Sequence, residues 1–163
     1  MSIPRPTILA FTRNITIARL GELVLIAHWR GTPDLEDVEK SGEVSEAFRI
    51  GVDKPILEVV VIDAHVTVPS DEIRQVLIRR MQARDQRTIG TVIVYEGTGF
   101  YAAAVRSVLT AMQLTSKRRS PMRVFNNVDD AAQHMTKAGW VGHGANVTIS
   151  AIETVRSARA TDK

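Results

Sequence analysis

The sequence predicts an α/β fold: a mixed sheet of about five strands, parallel in its centre and antiparallel in its first hairpin, with about four helices. Three observations predict it. Two nearly continuous apolar runs, Ile56 to Ile62 and Thr91 to Tyr95, have the composition of strands covered on both faces. Each is followed by a stretch whose apolar residues recur at helical spacing, and an earlier pair of apolar segments is joined by a tight turn at Leu20, Gly21 and Glu22. The chain has 163 residues, 44% of them hydrophobic and 24% charged, which suffices for one core and leaves no room for two full-sized ones.

In chain order, the first hairpin spans Ile15 to His28, its second strand running from about Leu23. Thr32, Pro33 and Asp34 then supply an N-cap, a proline for the first helical position and an early acid. The helix they open carries Leu35, Val38, Val44, Ala47 and Phe48 inward, with Ser41 and Gly42 interrupting, so one helix and two short ones both remain open. After the strand Ile56 to Ile62, Ser70 before Asp71 and Glu72 reads as the cap of an amphipathic helix. Ile73, Val76, Leu77 and Met81 form its inner face and Arg74, Arg79, Arg80 and Arg84 its outer one. Gly90 ends the connection to the strand Thr91 to Tyr95. Gly97, Thr98 and Gly99 turn into a helix lined by Ala102, Val105, Val108, Leu109 and Met112. Met122 to Phe125 is a short last strand, and Asn127 caps a helix that ends near Gly139.

Residues 1–140 thus read as one domain and 141–163 as a C-terminal extension. Ile149, Ile152 and Val155 give that extension a narrow apolar stripe, too little for a helix standing alone in water. It therefore needs a surface, either on its own domain or on a second copy; open sheet edges favour a homodimer.

The absence of cysteine excludes disulfides, thiol nucleophiles, iron–sulfur clusters and thiolate zinc sites. A reducing, cytoplasmic setting fits it. No apolar run approaches the length of a membrane span, so neither secretion nor insertion is expected. Net charge is only +3, but it is segregated. Asp34, Glu36, Asp37, Glu39, Glu43 and Glu46 form an acidic stretch, and Arg74, Arg79, Arg80, Arg84 and Arg87 a basic one. Lys117, Arg118, Arg119 and Arg123 cluster in an expected loop, without the interleaved aromatics of a nucleic-acid surface.

The four histidines have no metal-ligand spacing, and no metal or other cofactor is expected. His28 and His65 nevertheless fall near the ends of the second and third strands, where Asp63 and Glu96 join them at one rim of the sheet. In open α/β sheets that rim is where loops form a ligand crevice. Trp29 stands beside it, and Thr98, between Gly97 and Gly99, opens a helix whose first backbone amides are a candidate anion-binding end. Neither a phosphate-binding fingerprint nor a serine elbow surrounds them.

Arg123, Val124 and Phe125, followed by Val128, Asp129, Asp130, Ala131 and Ala132, resemble the closing strand and short helix of the STAS-like, and more closely the SpoIIAA-like, proteins, the anti-sigma factor antagonists. Trp29, Arg30, Gly31 and Thr32 are similar to the turn from the second strand into the first helix in that family. The resemblance covers about Ile15 to Gly139. It implies a small, usually non-enzymatic regulatory module that binds a protein partner or a small ligand at one end of the sheet. Its phosphorylation switch would fall near Ser70, but Val68, Pro69, Ser70, Asp71 and Glu72 stand where the family has Asp-Ser-Ser-Gly. Adjacent acids would also repel a phosphate there. Ser70 is accordingly expected to act as a cap. The sequence leads to a STAS-like binding module with His28, Trp29, Asp63, His65, Ser70, Glu96 and Thr98 as candidate contacts; the alternative is a small enzyme using His28, His65 and Asp63 or Glu96 as acid and base.

Overall fold

A computed structural model describes residues 3–159; residues 160–163 of the extension, like residues 1–2, lie outside the described residues. Six strands form one sheet in sequence order: β1 (Pro6–Phe11), β2 (Ile15–Leu20), β3 (Val24–Trp29), β4 (Ile56–Ile62), β5 (Thr88–Tyr95) and β6 (Met122–Phe125). β1, β2 and β3 pair antiparallel, and β3 to β6 pair parallel through helical crossovers. The helices are α1 (Leu35–Ile50), α2 (Asp71–Arg84), α3 (Gly99–Ser116), α4 (Val128–Lys137) and α5 (Ala145–Ser157).

The double-sided apolar strands dictate the layering. On β4, Leu57, Val59 and Val61 face α4 and α5, while Ile56, Val60 and Ile62 face the layer of α1, α2 and α3. Val92 and Val94 of β5 join the first set, Ile93 and Tyr95 the second. β4 and β5 are adjacent and parallel, with Val59 opposite Val92 and Val61 opposite Val94, as two double-sided strands joined by a helix require.

Several expectations are corrected. The sheet has six strands because Pro6–Phe11 pairs with β2 across a bulge between Ile8 and Ala10. Its residues alternate between half-buried and exposed, the pattern of an edge strand whose place is set by its neighbour. Gly90 lies inside β5, and its missing Cβ makes room for the Trp140 ring, which a Cβ would approach to 2.8 Å. α1 is one helix across Ser41 and Gly42, and the glycine leaves room for the Arg80 guanidinium reaching over from α2, with which a Cβ would collide. Asp34, rather than Thr32, caps α1: it accepts from the Asp37 amide at 2.9 Å, and Asp37 accepts from the Asp34 amide at 3.0 Å. The Thr32 hydroxyl instead accepts from the Thr67 amide at 2.9 Å. Asn127 caps α4 as expected, accepting from the Asp130 amide at 2.8 Å.

The extension is part of the same core. Ala151, Ile152 and Val155 of α5 are buried against β2, β3 and α4, and Ile149 packs beside them. The surface that the stripe requires is supplied by the domain itself, without a second copy. Among the described residues, no helix is long and apolar enough to cross a membrane.

Val61 is fully buried at the centre of the sheet, beneath α4 and α5. Val61→Asp would force an unpaired charge there at a cost of several kcal/mol. The variant is expected to unfold, read by circular dichroism; a soluble variant with unchanged melting contradicts the assignment.

Candidate functional site

Side-chain parity splits the expected rim between the two faces. His28 has the parity of Val24 and Ile26 and so lies beneath α5, whereas Trp29 points to the α1–α3 face. His28 Nε2 is 2.9 Å from Asp63 Oδ1 at the end of β4. Arg156 of α5 then bridges Glu96 Oε2 at 3.0 Å and Asp63 Oδ1 at 3.5 Å. Three of the predicted rim residues thus converge, and Arg156, which the apolar stripe of the extension concealed, closes them over. Its signal in the sequence was only its place next to Val155. His65 is not part of this group: its Nε2 lies 2.7 Å from the Arg30 carbonyl on the exposed side of the loop.

Burial holds His28 below its ordinary pKa in spite of the Asp63 partner, so the ring is neutral near pH 7. Its Nδ1 is buried and has no hydrogen-bond partner among the described residues. His28 is buried, whereas Asp63, Glu96 and Arg156 keep partial exposure, and together they form a latch that ties the end of α5 to the ends of β3, β4 and β5.

Ser70 caps α2, its hydroxyl accepting from the Ile73 amide at 3.4 Å. Thr98 occupies the N-cap position of α3 but makes no side-chain cap bond, and it is exposed. The basic loop after α3 is organised internally. The half-buried Asp85 carboxylate accepts from the Arg119 and Ser120 amides at 2.7 and 2.9 Å and from the Ser120 hydroxyl at 2.5 Å. Burial opposes its charge, yet these bonds and Arg118 hold the carboxyl well below the usual carboxylate range. The amides that an external phosphate would need are therefore engaged.

Open space lies on the other face. A chamber of about 140 Å³ sits between the sheet and α2, with Ile17, Leu25, Ala27, Val60, Ile62 and Ile93 as floor. Leu77 and Met81 of α2 roof it, and Trp29 forms a wall. A second space of about 40 Å³ adjoins it toward the strand ends, sharing Trp29, Ile62, Leu77, Leu109 and Met112. The chamber exists because α2 packs against α1 and α3 at its flanks more than onto the strands below it. Trp29 is the one predicted contact that lines either space; His28, Asp63, His65, Ser70, Glu96 and Thr98 line neither.

One end of the chamber is charged. Glu58, the lone polar residue in the β4 run, faces it and receives the Arg49 guanidinium, the Thr91 hydroxyl at 3.2 Å and Arg84 at 3.6 Å. Arg49 is only 1% exposed and also donates to the Arg87 carbonyl at 3.2 Å. Arg80 lines the same end and donates to the Val38 carbonyl. The basic helix and the acidic stretch thus face each other in part, with Arg87 3.6 Å from Glu46, but Arg80 and Arg84 turn toward the chamber. Sequence periodicity placed both among solvated residues. Only the charge at Glu58, inside an apolar run, signalled a buried cation.

Among the described residues, no cluster of three or more His, Asp and Glu side chains has the arrangement of a metal site. No protein-family model matches this chain, and no curated protein matches it either.

The pH response of stability follows from the latch. His28 is held below 6.5 in the folded chain and returns toward 6.5 on unfolding, so below that value unfolding takes up a proton. Stability is therefore complete above about pH 6.5 and declines as pH falls through and below it, at no more than about 1.4 kcal/mol per unit for this group. His143, also lowered by burial, adds a decline of the same sign. Urea denaturation between neutral and mildly acidic pH is expected to show the loss, with a shallower slope in His28→Asn. An unchanged slope in the variant contradicts the buried neutral His28.

Proposed function

We propose that this chain is a non-enzymatic binding module of the STAS-like regulatory type, and that it takes a small ligand in the chamber beneath α2. The observation that carries the reading is the chamber: a concave, mostly apolar space with a few charged groups at one end has the character of a ligand site. The strand order and the resemblance of Arg123 to Ala132 to the closing elements of SpoIIAA-like proteins support the family assignment. Against the enzymatic alternative stands the burial of His28 beneath α5 with Asp63 held by Arg156, and neither residue lines the chamber or the space beside it. A ligand seated between sheet and α2 would alter how firmly α2 is held. That is a physical route from occupancy to partner binding, with the helix as the responsive element.

The proposal is tested with two small apolar probes, hexanol and toluene, in a Trp140→Phe background, so that emission comes from Trp29 alone. Both probes are expected to shift Trp29 emission and raise the melting temperature. Ala27→Leu, which fills the chamber floor, should abolish the shift, and His28→Asn should preserve it. Absence of any shift, an undiminished shift in Ala27→Leu, or its loss in His28→Asn contradicts the location.

A further inference from the structure

We infer that the ligand of this chamber is a compact carboxylic acid, with an apolar body of about six carbons and a carboxylate received by Arg80 and Arg84. The inference rests on the binding reading above and adds the class of ligand. Three features of the chamber carry it.

The first is size. A dry apolar cavity of about this volume holds a molecule the size of benzene. At about 140 Å³ the chamber therefore accommodates a phenyl ring or a short alkyl chain, and not the whole of a long lipid chain.

The second is a cation without an ion pair. The guanidinium groups of Arg49, Arg80 and Arg84 gather at one end of the chamber, where Glu58 is the one lining carboxylate, while Glu39, Glu43 and Glu46 of α1 attract Arg80 and Arg49 from farther away. Arg49 is matched to Glu58, and Arg84 stands farther from the same carboxylate at 3.6 Å. Among the described residues, Arg80 has no carboxylate within 4 Å, and the one acceptor its guanidinium finds is the Val38 carbonyl. Burial, followed by the neighbouring Arg84, lowers its pKa against the opposing pull of Glu39 and Glu43, so an anion placed between Arg80 and Arg84 would relieve both lowering effects. Arginine presents a planar fork that suits a carboxylate bidentately.

The third is the anion's own charge. Glu58 lies in the same wall, and its proximity favours a monoanion over a dianion such as a phosphate monoester. The aliphatic floor of Ile17, Leu25, Val60 and Ile93 then receives the body of the acid while its head remains at the guanidinium end.

The test titrates hexanoate, hexanol, hexyl phosphate and acetate into the full chain, followed by calorimetry, and by Trp29 emission in the Trp140→Phe background. Hexanoate is expected to bind about tenfold more tightly than hexanol, acetate not measurably, and hexyl phosphate more weakly than hexanoate. Arg80→Met should reduce hexanoate to the level of hexanol and leave hexanol unchanged, which also shows the chamber intact. Added salt should weaken hexanoate and spare hexanol in the unaltered protein, a readout independent of any variant. Equal affinity for hexanoate and hexanol, or tighter binding of hexyl phosphate, overturns the carboxylate assignment and leaves the chamber as a site. Hexanoate binding that is insensitive to both Arg80→Met and salt overturns it as well. If no probe binds, the chamber reading falls with it.

Discussion

Everything in this fold answers to the strand pair β4 and β5, whose residues are apolar on both faces. Such a pair cannot lie against water on either side, so the chain must provide two helical layers. It does so unequally. The α4–α5 layer meets Val59, Val61, Val92 and Val94 with small and medium side chains, among them Ala131, Ala132 and Ala151, that allow close approach. The α1–α3 layer is fixed mainly at its flanks. α1 is anchored by Asp37 to Asn14 and by Arg49 to Glu58, and α2 spans the gap between α1 and α3.

The buried ions follow from the same asymmetry. Glu58 is tolerable on an apolar strand because Arg49 and Thr91 satisfy it. A buried pair of this kind is weak evidence for added stability, since desolvation offsets much of the attraction. Its effect is positional: it fixes the end of α1 over β4 and holds a polar end on an otherwise apolar space. On the opposite face Arg156 does the corresponding work for α5, bridging Asp63 and Glu96 beside His28. One charged cluster closes its side of the sheet; the other borders an opening.

How much of this was legible in the sequence depended on whether the information was local. The parallel centre, the hairpin turn at Gly21 and the caps at Ser70 and Asn127 were legible because composition and capping chemistry are short-range. Pro6–Phe11 was not, since an edge strand with alternating partial exposure takes its identity from β2. The unity of α1 was not, because Gly42 looks like a breaker until Arg80 is placed over it. At the rim, His28, Asp63 and Glu96 were legible from strand ends alone, but Arg156 reaches them across 60 residues or more of chain. The same limit hid the chamber. Leu77 and Met81 gave the inner face of α2 correctly, and no periodicity could tell how far that face stands from the sheet.

The central claim is that the two helical layers close the sheet unequally, tight under α4 and α5 and loose under α2. Native-state hydrogen exchange tests it most directly, because local opening is read helix by helix. The account predicts that amides of α2 exchange through openings of low free energy, while those buried in α5 around Ile152 and Val155 exchange only with global unfolding. The reverse order, with α2 protected to the global limit and α5 opening early, would contradict it.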